Sequence, residues 1–139
     1  MRTFQTPIGV SCRHIHLSEE HIEALFGEGY RLTKKKDLSQ PGQYACEETV
    51  TLVGPKGDIP RVRILGPARS ESQVELAFTD AFKLGLQTPV RDSGNLEESP
   101  GLEVQVGDKK ITLDRGAIVA LRHLHLSEEQ AATYGLKDK

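Results

Sequence analysis

The stretch Glu48-Thr49-Val50-Thr51-Leu52-Val53 runs into Gly54-Pro55-Lys56-Gly57-Asp58 and then into Ile59 through Leu65. Alternating apolar residues on both sides of a Gly/Pro-rich turn predict a β-hairpin. Downstream, Leu102-Glu103-Val104-Gln105-Val106, the Gly107-Asp108 turn and Lys109 through Leu113 repeat the pattern. Gln73-Val74-Glu75-Leu76-Ala77 is another alternating run, which puts Gln73, Glu75 and Ala77 on one face. Ala117 to Leu121 reads as one more strand. Many short strands with closely spaced turns predict a mainly β protein, built of small β-barrel domains capped by short α-helices.

Either side of this β-rich middle stands a repeated phrase. Arg13-His14-Ile15-His16-Leu17-Ser18-Glu19-Glu20 recurs as Arg122-His123-Leu124-His125-Leu126-Ser127-Glu128-Glu129. Four of the five histidines lie in these copies. In a strand, residues i and i+2 share a face, so each His-x-His offers two imidazoles together while the residue between them points into a core. A single pair often serves only as a polar strand face. Two pairs in a chain this poor in histidine point to metal, for which imidazole is a common ligand. The pairs imply either one metal with four imidazoles or two metals with two each.

After each pair comes a serine cap followed by two glutamates, which favour the positive end of a helix. Ser127 and Gln130 complete a capping box, whereas Ser18 has His21 at that position. Gly27 and Gly135 are the expected stops, and His21 reads as a surface residue. A third short helix is expected from Asp80 to Leu84, capped by Thr79 and ended by Gly85. Residues Gln87 to Gly101 read as a long surface loop.

Bulk composition excludes several classes. With 139 residues, 37% hydrophobic, the chain can pack a core, but its apolar runs fall far short of the roughly 20 residues of a membrane span. A net charge of −2 and 5% aromatics make no case for nucleic acid. Nothing at the N-terminus reads as a secretion signal. Cys12 and Cys46 lack metal or redox spacing and read as small buried residues in a reducing cytoplasm.

Glu75 is the best-placed carboxylate to join histidines at a catalytic metal. Gly66-Pro67-Ala68-Arg69-Ser70-Glu71-Ser72 ends a strand with one arginine, suited to bidentate contact with phosphate or carboxylate, and the turn's amides could add an anion nest. Lys34-Lys35-Lys36 could meet a polyphosphate, although such triplets usually face solvent. Metal, an anion-binding arginine and the absence of a serine or cysteine nucleophile motif suggest a carbonyl polarised by metal and attacked by water or a bound oxyanion.

At these residues the sequence resembles the PduL-type phosphotransacylases (phosphate propanoyltransferases). The likeness runs through Val10–Ser18, Leu38-Ser39-Gln40-Pro41-Gly42-Gln43, Glu47–Val50, Gly66–Arg69, Gln73–Glu75 and Arg122–His125. It implies the reversible reaction of acyl-CoA with phosphate to give acyl phosphate and CoA, with two zinc ions. One zinc would take His14, His16 and Glu75. The other would take His123, His125 and a third histidine from a later segment. Arg69 matches the phosphate-holding arginine, and Ser11, Lys36, Arg63 and Leu65 fall where the family meets CoA.

The resemblance also implies a division into residues 1–12, a first strand belonging to a second barrel; 13–120, a central barrel; and 121–139, the start of that second barrel. The second barrel is expected to be incomplete here, as in a truncated or split form of a longer protein. A first strand over Thr3 to Cys12 without its partners would favour homo-oligomers. Members bound for bacterial microcompartments usually carry an extra N-terminal segment, for which Met1–Gly9 leave no room, so the cytoplasm is the expected setting and the microcompartment lumen the alternative. The competing functions are a metal-dependent hydrolase and a non-catalytic metal-binding module. No residue marks the choice of acyl chain.

Overall fold

In the computed structural model, the described residues are 13–120 together with Gln5, Glu129, Ala132, Thr133 and Gly135. The strands are β1 (His14–Ser18), β2 (Lys34–Asp37), β3 (Tyr44–Val53), β4 (Asp58–Arg69), β5 (Gln73–Leu76), β6 (Val90–Arg91), β7 (Leu102–Val106), β8 (Lys109–Leu113) and β9 (Ala117–Ala120). Within residues 13–120 the helices are α1 (Glu19–Phe26) and α2 (Phe78–Leu84). The fold is mainly β, as its alternating runs predict.

All nine strands belong to one sheet in the order β6-β9-β5-β1-β4-β3-β7-β8, with β2 on β3. The short strand β1 lies at its centre, parallel to β4 and antiparallel to β5. Helix α1 leaves the end of β1 yet packs on β7 and β8 at the far side of the order. The sheet must therefore curl. Ile22 and Leu25, buried on α1, plug the concavity.

Alternation along β1 separates the two faces. Ile15 lies in register with Ile64 on β4 and Val74 on β5, and Val74 with Ala117 on β9. All four are fully buried. This apolar row is the inner layer of the core, and His14 and His16 project from the opposite face.

Both predicted hairpins form, and β3 and β4 are longer than predicted. Strand β4 continues through Gly66 and Pro67 to Arg69, so the expected turn begins only at Ser70. A Cβ at Gly66 would lie 2.5 Å from the Tyr44 ring, so glycine lets the long strand pass this aromatic side chain. Ser18 caps α1 by accepting the His21 N–H at 3.3 Å, and Gly27 ends it. Gly135 has a φ of +69°, in the left-handed region.

Two expectations need correction. Helix α2 starts at Phe78 with Ala77, not Thr79, as its N-cap; the Asp80 carboxylate accepts the Ala77 N–H at 3.0 Å and fixes the start. The segment from Gln87 to Gly101 is not wholly a surface loop. It contributes β6, which pairs with β9, and it buries Leu96 and Ser99. Lys34-Lys35-Lys36, exposed as expected, is also strand, pairing with β3.

Helix α2 sets Ala81 and Leu84 into the core and leaves Phe78 and Phe82 exposed. No helix among the described residues is long and apolar enough to cross a membrane. The expected first strand, Thr3 to Cys12, and the second His-x-His lie outside the described residues.

Candidate metal centre

Two rows of register partners cross the sheet on the face opposite the apolar row. One runs Thr49–Arg63–His14–Glu75–Ile118, and the next Lys36–Ala45–Leu65–His16–Gln73. Strand pairing thus brings together residues as far apart in sequence as Lys36, Arg63 and Glu75. The placement is rigid, since β1 is hydrogen-bonded on both edges.

The histidines converge on one carboxylate oxygen. His14 Nε2 lies 2.5 Å from Glu75 Oε2, and His16 Nε2 lies 3.6 Å from the same atom. The two rings meet edge to face, with centroids 4.9 Å apart. Nitrogen and oxygen donors from all three residues fall within 4.8 Å of one another. His16 and Glu75 are buried and His14 is partly so.

Electrostatics favour a metal-ready state. Burial pushes the His16 pKa down despite the nearby Glu75 carboxylate, and the Arg69 charge and His14 add to the effect. The neutral imidazole is the form that binds metal. Burial opposes ionisation of Glu75, but the hydrogen bond with His14, the adjacent His16 ring and the charge of both imidazoles together outweigh it and hold the carboxyl well below the usual range. Two imidazole nitrogens and one carboxylate, drawn from a strand pair and shielded from bulk water, suit zinc with further positions left for other ligands. The donor set fits the metal.

Arg69 stands at the end of β4, in register with Ser18, and its Nη1 donates to Ser93 Oγ at 3.3 Å. It lines an open groove of about 410 Å³ with Ser18, Glu19, Glu20, His21 and Ser72. His21 is more than a surface residue, because its Nδ1 lies 2.6 Å from the Oγ of buried Ser72, which also accepts the Ser18 N–H at 2.9 Å. These bonds tie the β1–α1 junction to the start of β5. Leu65 and Arg63 are partly buried beside the histidines, and Arg63 Nη1 donates to the Cys46 and Glu47 carbonyls at 3.0 and 3.1 Å. Lys36 is exposed. Ser11, His123 and His125 lie outside the described residues.

A family profile described as phosphate propanoyltransferase matches residues 7–139. The chain belongs to this family. It is 56% identical over 132 residues to the phosphate propanoyltransferase of Thermotoga maritima, covering 95% of this chain and 63% of that protein. Identity to the phosphate propanoyltransferase of Lachnoclostridium phytofermentans is 56% over 137 residues, 97% of this chain and 63% of the relative. For the Sebaldella termitidis protein of the same name it is 53% over 131 residues, 94% and 62%. The chain therefore spans less than two thirds of the length of these relatives.

One polar residue of this face carried no functional signal in the sequence. Gln73 is 1% exposed and is the register partner of His16. Its Oε1 accepts the Gly94 N–H at 2.7 Å, and its Nε2 donates to Ser93 Oγ at 3.1 Å. Alternation with Glu75 places Gln73 on the right face, but nothing local tells a reader that residues 93 and 94 fold over it.

Proposed function

We propose that the protein transfers an acyl group, propanoyl or acetyl, between coenzyme A and phosphate. What carries the reading is the convergence of His14, His16 and Glu75 near Arg69 in a chain of this family. The three side chains would hold one zinc ion, and His123 with His125 and a later histidine a second. Zinc supplies Lewis acidity for the thioester carbonyl and for the departing thiolate, charges that grow in the transition state.

The chain's own residues do the rest. Arg69 binds and orients the phosphate, offsetting repulsion between anionic reactants. One phosphate oxygen forms a C–O bond to the carbonyl carbon, the C–S bond breaks, and its electron pair leaves with sulfur. The proton of hydrogen phosphate ends on the thiolate, so no strong general base is needed. Lys36 and Arg63 meet the charged part of CoA, with Leu65 and Ser11 completing its contacts. The proposed setting is the cytoplasm, with the microcompartment lumen as the alternative.

The test is consumption of propanoyl-CoA with and without phosphate, trapping acyl phosphate as the hydroxamate, for this chain and for one extended to the relatives' full length. Phosphate-dependent acyl phosphate is expected, and Arg69→Ala should cost at least ~2 kcal/mol of transition-state stabilisation. Release of free acid without phosphate would mark a hydrolase, and zinc binding without turnover in both chains a metal-binding module.

A further inference from the structure

We infer that Arg13 and Asp80 form a clamp that sets the gap between β1 and β5 at the metal centre, which makes both of them positioning residues for His14 and Glu75. The inference rests on the reading of His14, His16 and Glu75 as metal ligands.

The ladder between β1 and β5 pairs His16 with Gln73, Ile15 with Val74 and His14 with Glu75. Its last pair among the described residues is thus the metal pair, and the end of an element is where fraying begins. Each strand has an outer neighbour, since His14 lies in register with Arg63 on β4 and Glu75 with Ile118 on β9. Those neighbours hold β1 and β5 separately and do not fix the gap between them. The His14–Glu75 hydrogen bond does span the gap. His14 Nε2 cannot, however, both donate a proton to Glu75 and give its lone pair to a metal. That bond therefore cannot keep the spacing once an ion is held.

Asp80 can. It is the third residue of α2 and only 9% exposed. Its Oδ1 accepts from Arg13 Nη1 at 3.0 Å, and its Oδ2 accepts the Ala77 N–H at 3.0 Å. Arg13 is the residue before β1, and Ala77 is the residue after β5. One carboxylate therefore joins the two strand ends beside the metal pair through charge-assisted bonds. Neither contact uses a metal donor atom, so the clamp holds the same gap before and after loading. The same side chain fixes the start of α2, which ties the helix to the strands that carry the ligands.

Zinc and cobalt(II) are the probes, in a His123→Ala/His125→Ala background that leaves the trio as the site under test. Asp80→Asn keeps an oxygen for the Ala77 N–H but turns donors toward Arg13, and Arg13→Met removes the donor from the other side. Each should weaken zinc affinity about tenfold in competition with a chelator, the scale of supports around metal ligands, and alter the visible absorption of the cobalt-loaded chain. The double variant should bind no more weakly than either single one, since both remove one interaction. Arg13 uses only Nη1 in this contact, so Arg13→Lys should restore most of the affinity. Unchanged zinc affinity and cobalt absorption in both single variants, even with a lowered melting midpoint, would make the pair a purely structural tie and overturn the inference. Additive losses in the double variant or no rescue by lysine would overturn it as well, and each of these results would leave the metal site in place. A background chain that binds neither ion would remove the metal centre and the clamp's role with it. Metal binding that follows the expected pattern without phosphate-dependent turnover would leave the clamp standing and remove the proposed reaction.

Discussion

The two faces of β1 are separated by one residue of register and differ in almost every physical respect. On one side Ile15 meets Ile64, Val74 and, beyond it, Ala117, all without exposure. On the other, His14 and His16 meet Glu75, with Gln73 beside them. The apolar face is stabilised by burial that any well-fitting hydrophobe could supply. The polar face is satisfied only by particular partners at particular positions, since buried polar groups are costly when left unmatched. The comparison teaches that the apolar row provides the stability with which the strand holds its polar row in place.

Breaking the apolar face should have the largest effect. Ile64→Ala removes a fully buried side chain and is expected to cost about 2–5 kcal/mol in urea unfolding. The molecules that still fold should keep their zinc stoichiometry. Zinc lost in proportion at temperatures where the variant stays folded would mean that the two faces are not separable.

Replacing both His14 and His16 by alanine should do the reverse. Zinc measured by elemental analysis is expected to fall by roughly one ion per chain. The apoprotein should lose only about 1–3 kcal/mol, the cost of leaving buried Glu75 without its partners. Unchanged zinc would exclude this trio as a metal site.

Cys46 offers a smaller test on β3. It is fully buried, and burial pushes its thiol from 9.0 up to about 11, with Glu48 adding to the rise and Arg63 opposing it. In a Cys12→Ala background, alkylation of the folded protein at pH 8 should be far slower than of the unfolded chain. The folded state holds the proton more tightly, so stability should fall as pH rises from about 9 to about 11, by on the order of 1–2 kcal/mol. That slope should vanish in Cys46→Ala, and a slope that survives would assign it elsewhere.

The smallest change lies at the junction where the polar face ends. Ser18→Ala removes the cap of α1 and should cost about 1 kcal/mol, read as a lower thermal midpoint with zinc retained. A loss above about 3 kcal/mol would show that the tie through Ser72 and His21 depends on this hydroxyl as well.

Several of these features were legible in advance, each through a local signal. Period-two alternation marked β3, β4, β5, β7 and β8, and the Gly-rich turns marked their joints. The His-x-His spacing placed two imidazoles on one face, and the i, i+2 relation placed Glu75 with Gln73. Other features left no such mark. Strand β2 is three lysines and an aspartate, and β6 is two residues long; each exists because a neighbouring strand supplies its hydrogen bonds. His21 has the sequence context of an exposed helix residue, and only the nearness of Ser72 draws it inward.

The amino-acid sequence by itself determined the mainly β class, the hairpins, the serine cap of α1 and the residue types able to bind metal and anion. These follow from short-range rules of side-chain period, turn chemistry and ligand preference. Tertiary structure alone decided that His14 and Glu75, sixty-one residues apart, share a register, and that Ser93 comes to lie between Arg69 and Gln73. The physical reason is that strand order and loop closure depend on contacts between segments distant in the chain, and no local pattern encodes which distant strand will supply the partner.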